Sequence, residues 1–189
     1  MHCFKKAVID LLYTQSNLQD ILESENFSSF RMDYYSSDFI DPVSGKSALD
    51  MAKEALHVCR SFVDSFGSKF QNLLIYGNTG VGKTFLTHCI ARELMDHIHS
   101  VIYVTSSQLF DILGSREFDT DPEKRQAGAL LDECELLIID DLGTELTNSF
   151  TVSQLFICLN DRILQKKSTI ISTNLSLNEI KSIYSERTF

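Results

Sequence analysis

The chain lacks any stretch typical of a membrane span or a secretory leader. None of its apolar runs approaches the roughly 18 residues that a membrane-spanning helix needs. Asp10 interrupts the short apolar stretch that follows Lys5 and Lys6, so the N-terminus does not resemble a signal peptide. We therefore expect a soluble protein of the cytoplasm that has no membrane partner.

Paired cysteines are also lacking. The five cysteines are odd in number and scattered, and no two of them form a C-x-x-C pair; they are Cys3, Cys59, Cys89, Cys134 and Cys158. This pattern argues against a disulfide framework and against a zinc site. Because several of them fall on apolar faces of predicted helices, we expect buried thiols in a reducing compartment.

Positive charge is scarce, since the formal net charge is −9 at pH 7. The surface as a whole is therefore unsuited to binding a polyanion, and any contact with nucleic acid must come from a local basic patch. The candidates are Lys166 with Lys167, and Lys181 with Arg187. A solvated surface, or cations that favour a helix end, is the simpler interpretation of both groups.

The 189 residues, of which 43% are hydrophobic, suffice for one domain with at most a small appendage. A long amphipathic helix is predicted over residues 46–66, and two short helices are predicted within residues 1–25. Strands and helices alternate from residue 73 onward, with a polar loop predicted over 115–122 and a helix over 152–165. The predicted strands are continuously apolar; they span 72–76, 100–104, 136–139 and 169–172. Such strands, separated by helices, predict an α/β fold with a parallel sheet covered by helices on both faces.

A glycine-rich loop follows the first predicted strand and precedes a predicted helix over 85–98. It fits the pattern G-x-x-x-x-G-K-[ST]; its residues are Gly77, Asn78, Thr79, Gly80, Val81, Gly82, Lys83 and Thr84. Strand, loop and helix in this order predict a P-loop, in which loop N–H groups and the helix N-terminus bind phosphates. We expect Lys83 to contact the phosphates, Thr84 to ligate Mg²⁺, and Phe85 to complete the nucleotide-binding segment.

Two carboxylates end the third predicted strand. Asp140 and Asp141 follow an apolar run, and the carboxyl ends of strands face the ligand crevice of open α/β sheets. We expect Asp140 to hold Mg²⁺ through its water shell and Asp141 to orient or deprotonate the attacking water. Asn174 ends the fourth predicted strand in the same manner and is a third candidate, placed to reach the γ-phosphate or that water.

These motifs resemble those of the AAA+ ATPases, with Asn174 in the sensor-1 position. Finer features resemble one branch, the bacterial helicase loaders DnaC and DnaI with their relative IstB, a transposition helper. The resemblance is carried by the P-loop, by the runs 140–145 and 172–174, and by residues 184–187. It implies an AAA+ P-loop NTPase fold, ATP and ADP as ligands with Mg²⁺, and ATP hydrolysis.

The implied role is assembly around single-stranded DNA, through AAA+ self-assembly, and delivery of a replicative DNA helicase. The family also places the segment near Phe39 and Ile40 close to the adenine. On this basis we expect residues 1–45 to be a helical and irregular extension and 46–189 an AAA+ core. We expect the last strand, the C-terminal lid and the arginine finger to lie beyond Phe189, with Arg187 the structural arginine that precedes that finger.

The sequence departs from many AAA+ proteins at the predicted base, where Asp141 stands in place of a glutamate. The shorter side chain would make a slower base, or shift the task to Glu145. Three alternatives to helicase loading stay open: a transposition helper, a small-molecule kinase, and a nucleotide-gated binding module without turnover. A kinase would need basic lid residues after the fourth strand, where this chain has Asn174 and a capped helix.

Overall fold

The computed structural model describes residues 24–42, 44–118 and 122–184. Its centre is a four-stranded sheet in the order β1-β4-β3-β2, and every neighbouring pair of strands is parallel. The strands are β1 (Leu73–Tyr76), β2 (Val101–Thr105), β3 (Leu136–Leu142) and β4 (Ser168–Thr173). Because all strands run in one direction, their carboxyl ends meet at one edge of the sheet.

Helices connect the strands and cover the sheet. Those within the described residues are a short 3₁₀ helix (Met32–Tyr34), α1 (Ala48–Ser65), α2 (Lys83–Asp96), α3 (Ser106–Phe118), α4 (Pro122–Glu133), α5 (Ser149–Leu164) and α6 (Leu177–Tyr184). In the part of the chain that the structure describes, no helix combines the length and the apolar character needed to cross a membrane.

The two faces of the sheet carry separate hydrophobic clusters. On β3, Leu137 and Ile139 belong to the cluster with α3 to α6, whereas Leu136 and Ile138 belong to the cluster with α1 and α2. All four side chains are fully buried, each worth roughly 1.5–3 kcal/mol relative to exposure. This alternation explains the continuous apolar run in the sequence, and it confirms the predicted parallel sheet with helices on both faces.

Helix α1 confirms the predicted amphipathic helix, although it begins at Ala48. Ser47 and Asp50 form a capping box before it: the Asp50 N–H donates to Ser47 Oγ at 3.1 Å, and the Asp50 carboxylate accepts from Ser47. The hydrogen bond from Ser47 holds the pKa of Asp50 below its ordinary value. The helix buries Cys59 and Phe62 against the sheet.

Two predicted boundaries are wrong near the site. Helix α2 begins at Lys83, two residues before the predicted start, because Gly82 in the left-handed conformation is its N-cap. Strand β3 continues to Leu142 rather than ending at Ile139, because Leu142 pairs with Thr173 beyond a register shift. Lys83, Thr84, Asp140 and Asp141 therefore lie within regular elements instead of loops.

Two further boundaries differ. The predicted polar loop over 115–122 is shorter, because α3 runs to Phe118 and α4 starts with Pro122. Proline suits that first helical position, since its missing N–H has no partner there in any helix. Helix α5 starts at Ser149 instead of Val152, because Asn148 caps it with Thr151 in a reciprocal pair.

The segment before α1 packs on the core. Phe27 and Phe30 join the cluster of α1 and α2, and Arg60 donates to the Phe27 carbonyl at 3.3 Å. An isolated antiparallel bridge joins Ile40 to Ser47. The two short helices predicted within residues 1–25 lie almost entirely outside the described residues.

The four cysteines within the described residues are free and buried, as expected; they are Cys59, Cys89, Cys134 and Cys158. Burial raises the pKa of Cys59 and of Cys89 to about 12, which leaves both as inert thiols at neutral pH. Cys3 lies outside the described residues.

Candidate nucleotide-binding site

The glycine-rich loop runs from the end of β1 to the start of α2. Gly77, Gly80 and Gly82 have φ angles of 147°, 81° and 88°, and residues with a Cβ rarely adopt such angles. At Gly82 space is short as well, because an added Cβ would lie 2.6 Å from the Tyr35 hydroxyl. Tyr35 in turn donates to the Val81 carbonyl at 3.0 Å. The loop is thus held by glycine conformation and by a tyrosine from the segment before α1.

Lys83 lies at the centre of this loop and is buried. Its ammonium donates to the carbonyls of Gly77 and Asn78, both at 2.9 Å, and to Asn174 Oδ1 at 2.6 Å. Burial lowers its pKa, while the charges of Asp141 and Asp140 oppose that shift. The structure therefore brings together the predicted P-loop lysine and the predicted sensor residue, which is otherwise exposed at the end of β4.

The predicted magnesium ligands also meet. Thr84 Oγ1 lies 3.4 Å from Asp140 Oδ1. Asp140 is buried and accepts hydrogen bonds from Tyr103 Oη, at 2.6 Å on Oδ2, and from Ser172 Oγ on Oδ1. A hydroxyl and a carboxylate oxygen side by side are ligands that Mg²⁺ accepts, so the residues present fit this ion.

Asp141 has a quite different environment. It sits in the register shift between β3 and β4, with a φ of 55°, and its N–H donates to Ser172 Oγ at 3.0 Å. Its carboxylate has no hydrogen bond or salt bridge to any other described residue. Burial and the charge of Asp140 raise its pKa, whereas Lys83 opposes this. A bulge that turns one side chain out of the strand pattern is common beside active sites.

Glu145, the alternative base, is held on both carboxylate oxygens. Oε2 accepts from the Gly143 N–H at 2.8 Å, and Oε1 accepts from Tyr184 Oη. Burial and the hydrogen bond to Glu145 raise the pKa of Tyr184. Glu145 thus ties the loop after β3 to helix α6, a role that the sequence did not suggest.

A cavity of about 340 Å³ adjoins the loop and helix α1. Tyr35, Ala52, Ile75 and Val81 contribute to its mostly apolar lining, together with the lysine of the loop. Phe39 and Ile40 are not among the described residues that line it, and their side chains are largely exposed.

Phe85 packs its ring edge-on against Phe30, with centroids 5.6 Å apart. Any contact of Phe85 with a phosphate would therefore come from its backbone, which lies in the first turn of α2.

Several residues that complete the site had no signal in the sequence. Tyr35, Tyr103 and Ser106 are ordinary members of a loop, a strand or a helix start by their sequence context, and Ser172 was noted only as part of the run 172–174. Ser106 donates to the Asp141 carbonyl at 3.1 Å. The pairing of β3 with β2 and β4 brings the hydroxyls of Tyr103 and Ser172 to the Asp140 carboxylate.

The candidate basic residues within the described part of the chain have different surroundings. Lys167 donates to the Asp132 carbonyl, and Lys181 lines a groove between β4 and α6. Lys166 has a φ of 55° beyond α5. Arg187 lies outside the described residues.

The parallel sheet, the glycine loop that leads from β1 into α2, and the carboxylates on β3 define a P-loop protein of the AAA+ type. The family model of the IstB-like ATP binding proteins matches residues 47–189. The chain belongs to this family, which confirms the resemblance seen in the motifs.

Individual relatives agree with this assignment. The chain is 29% identical over 150 residues to the replicative helicase loader DnaI of Bacillus subtilis, covering 77% of this chain and 46% of the relative. It is 23% identical over 133 residues to the replicative helicase loader DnaC of Escherichia coli, covering 70% and 54%. The chain thus spans about half the length of these relatives.

Solved structures show the same fold. The crystal structure of the DnaC helicase loader superposes with a TM-score of 0.68 at 21% identity, covering 87% of this chain and 89% of that one. The replication initiator DnaA, bound to AMPPCP and single-stranded DNA, gives a TM-score of 0.62 at 18% identity, covering 80% and 48%. At these identities the likeness concerns the fold alone.

Proposed function

We propose that this protein binds ATP with Mg²⁺ at the carboxyl edge of its sheet and hydrolyses it slowly or with the help of a partner. The convergence of Lys83, Asn174, Thr84 and Asp140 on the glycine loop carries this proposal. These residues come from the first turn of α2 and from the carboxyl ends of β3 and β4, are separated by up to 91 positions, and meet within hydrogen-bond distance. A chance glycine loop would have no such partners.

Each residue has a defined task in this proposal. The loop N–H groups and the N-terminus of α2 bind the β- and γ-phosphates, and Lys83 exchanges its loop carbonyls for phosphate oxygens. Thr84 and Asp140 hold Mg²⁺, which supplies positive charge to the phosphate oxygens when bound. Asn174 orients the γ-phosphate or the attacking water. ADP remains bound by the same loop.

Asp141 is the proposed base. Its carboxylate is without a hydrogen-bond partner in the described residues, and its raised pKa favours uptake of a proton from water. Glu145 is the weaker candidate, because the Gly143 N–H and the Tyr184 hydroxyl already engage both of its oxygens.

The apolar cavity beside the loop is the proposed site for the base of the nucleotide. It touches Asn78 and Lys83, and its volume suits a planar ring system. Tyr35 lines the cavity and also holds the loop through the Val81 carbonyl. Selection of adenine over guanine is part of the proposal and needs a direct test.

The proposed biological role is loading of a replicative DNA helicase onto single-stranded DNA in the cytoplasm, with self-assembly through AAA+ interfaces. Support comes from the two helicase loaders among the relatives and from the DnaA structure, whose protein binds single-stranded DNA. Transposition help is a second candidate, which the match to the IstB-like family supports. Two binding measurements separate these roles. Binding of this protein to a replicative helicase would support helicase loading, whereas binding to a transposase on its DNA would support the role in transposition.

Thermal melting with Mg-ATP, Mg-ADP and Mg-GTP tests the nucleotide site. A ligand at about 100 times its Kd stabilises the folded state by roughly 2.7 kcal/mol, which raises the Tm by several degrees. We expect adenine nucleotides alone to produce this shift and Lys83→Ala to abolish it. Unchanged melting of the unsubstituted protein with every nucleotide would contradict the proposal.

A further inference from the structure

Tyr103 on β2 joins the two residues proposed to hold Mg²⁺. Its side chain is buried, and its Oη lies 2.6 Å from Asp140 Oδ2 and 3.2 Å from Thr87 Oγ1. Thr87 lies one turn after Thr84 on α2, and its hydroxyl donates to the Thr84 carbonyl at 2.8 Å. One tyrosine hydroxyl thus contacts the carboxylate on β3 and the helical turn that carries the threonine.

The direction of these hydrogen bonds follows from the number of protons. An ionised carboxylate only accepts, so the single hydroxyl proton of Tyr103 goes to Asp140. A tyrosine hydroxyl, whose ordinary pKa is about 10, carries this proton at neutral pH. Among the described residues, Tyr103 is the sole donor to Asp140 Oδ2. Oδ1 is the oxygen that faces Thr84.

We propose that Tyr103 is a positioning residue for the magnesium site, fixing the Asp140 carboxylate so that Oδ1 faces Thr84. This inference rests on the proposed nucleotide site. Without the Tyr103 hydroxyl, the carboxylate loses its only described donor on Oδ2, and its rotation about the side-chain bonds is less restricted. Partners that orient metal ligands typically contribute about 10- to 100-fold to metal affinity.

The test is the coupling between Mg²⁺ and nucleotide in the Tyr103→Phe variant, which keeps the ring and loses only the hydroxyl. The affinity for AMPPCP is measured by calorimetry in Mg²⁺ and again in EDTA, and the ratio of the two Kd values gives the coupling. We expect the variant to bind AMPPCP in EDTA as the unsubstituted protein does. Its gain in affinity on adding Mg²⁺ should be smaller by roughly tenfold or more.

Tyr184→Phe is the matched control, because Tyr184 is also a buried tyrosine that donates to a carboxylate, that of Glu145. Its coupling between Mg²⁺ and AMPPCP should equal that of the unsubstituted protein. Equal coupling in Tyr103→Phe would overturn the inference and leave the nucleotide site standing. Absence of AMPPCP binding by the unsubstituted protein would instead overturn the proposed function itself.

A second measurement covers the case in which Tyr103→Phe does not fold. The protein is prepared with 3-fluorotyrosine at position 103, which retains the hydroxyl, and its ¹⁹F spectrum is recorded with AMPPCP before and after Mg²⁺ is added. We expect the resonance to shift on addition of Mg²⁺, because the hydroxyl touches the metal ligand. An unchanged resonance in protein that binds Mg-AMPPCP would refute a positioning role.

Discussion

The two edges of the sheet are built in opposite ways. At the amino edge, where β3 and β4 begin, the guanidinium of Arg162 is buried and fully surrounded by acceptors. These acceptors are the carbonyls of Leu131, Cys134, Glu135 and Ser168 and the hydroxyl of Thr169. All three guanidinium nitrogens of Arg162 donate to acceptors there, so this edge contributes stability.

At the carboxyl edge, the same strands end in strain and unbalanced charge. Asp141 has a positive φ angle that is unfavourable for a residue other than glycine, two carboxylates are adjacent, and a lysine is buried beside them. Such features cost free energy in the absence of a ligand and are typical of sites prepared for one. The comparison shows that the polar groups that stabilise the fold lie at the amino edge of the sheet, whereas those of the candidate site lie at the carboxyl edge.

The largest effect on stability is expected from breaking the amino edge. Arg162→Met keeps most of the side-chain volume but leaves several buried carbonyls without donors, at about 1–3 kcal/mol for each unsatisfied group. We expect the free energy of unfolding to fall by about 3 kcal/mol or more, measured by urea denaturation.

The control is Arg31→Met, in which an exposed arginine loses its salt bridge to Asp33. We expect no measurable change in stability there, because exposed pairs contribute little. An Arg162→Met protein as stable as the unsubstituted chain would remove the distinction between the edges.

The next effect concerns turnover at the carboxyl edge. Asp141→Asn removes the proposed base while preserving the shape of the side chain, so ATP hydrolysis should fall about 100-fold or more. Binding of Mg-ATP should change little, because Asp141 is not among the residues proposed to hold phosphate or metal. Turnover is measured by phosphate release and binding by calorimetry.

Glu145→Gln is the companion variant. It should keep most of the turnover, because Glu145 is engaged by Gly143 and Tyr184 rather than by the site. If hydrolysis survived in Asp141→Asn and vanished in Glu145→Gln, the roles of the two carboxylates would be reversed.

The sequence predicted the parts of the molecule that depend on local pattern. Apolar strands, the glycine loop and the position of Asp140 and Asp141 follow from neighbours along the chain, and so does the class of fold. The sequence predicted that Lys83 and Asn174 lie at the same edge of the sheet, because parallel strands bring their carboxyl ends together. It did not predict the hydrogen bond between them.

What the sequence missed depends on pairing between distant strands. The continuation of β3 through Asp140 and Asp141 requires that Leu142 pair with Thr173, and nothing in the local sequence encodes that register. Likewise, Tyr103 meets Asp140 because β2 lies beside β3. No local pattern singles out the buried Arg162, because most of its acceptors lie on α4, after α4 and on β4.

A smaller effect separates the two sources of strain in the glycine loop. Gly80→Ala adds a Cβ that meets nothing within 4 Å, so only its φ angle costs free energy, about 1–2 kcal/mol. Gly82→Ala has the same cost and adds a clash with the Tyr35 hydroxyl, so it should be destabilised further. Both are measured by urea denaturation without nucleotide.

The double variant Gly82→Ala with Tyr35→Phe isolates the clash. Removing the hydroxyl should recover part of the loss and bring the stability close to that of Gly80→Ala. Equal stability of Gly82→Ala and Gly80→Ala would mean that the Tyr35 hydroxyl does not contact the loop at Gly82, and would contradict its role in holding the loop.

The smallest expected effect is a pH-dependent gain in stability at the carboxyl edge. The pKa of Asp141 is raised in the folded state by burial and by Asp140, so its ionised form is held less well there than in the unfolded chain. The resulting cost is absent below the unfolded pKa and is complete above the folded pKa. Asp141→Asn should therefore be slightly more stable than the unsubstituted protein at neutral pH, and solvent screening of this partly exposed carboxylate keeps the gain small.

Asp50→Asn provides a control of opposite sign. The hydrogen bond from Ser47 lowers the pKa of Asp50 in the folded state, so its contribution to stability is present above the unfolded pKa and is lost as the pH falls through the folded one. This variant should be less stable at neutral pH, and both differences from the unsubstituted protein should close on acidification. Thermal melting between pH 3 and pH 8 without nucleotide measures both. A loss of stability in Asp141→Asn at neutral pH would mean that the ionised Asp141 stabilises the fold, so that the carboxyl edge would not differ from the amino edge in this respect.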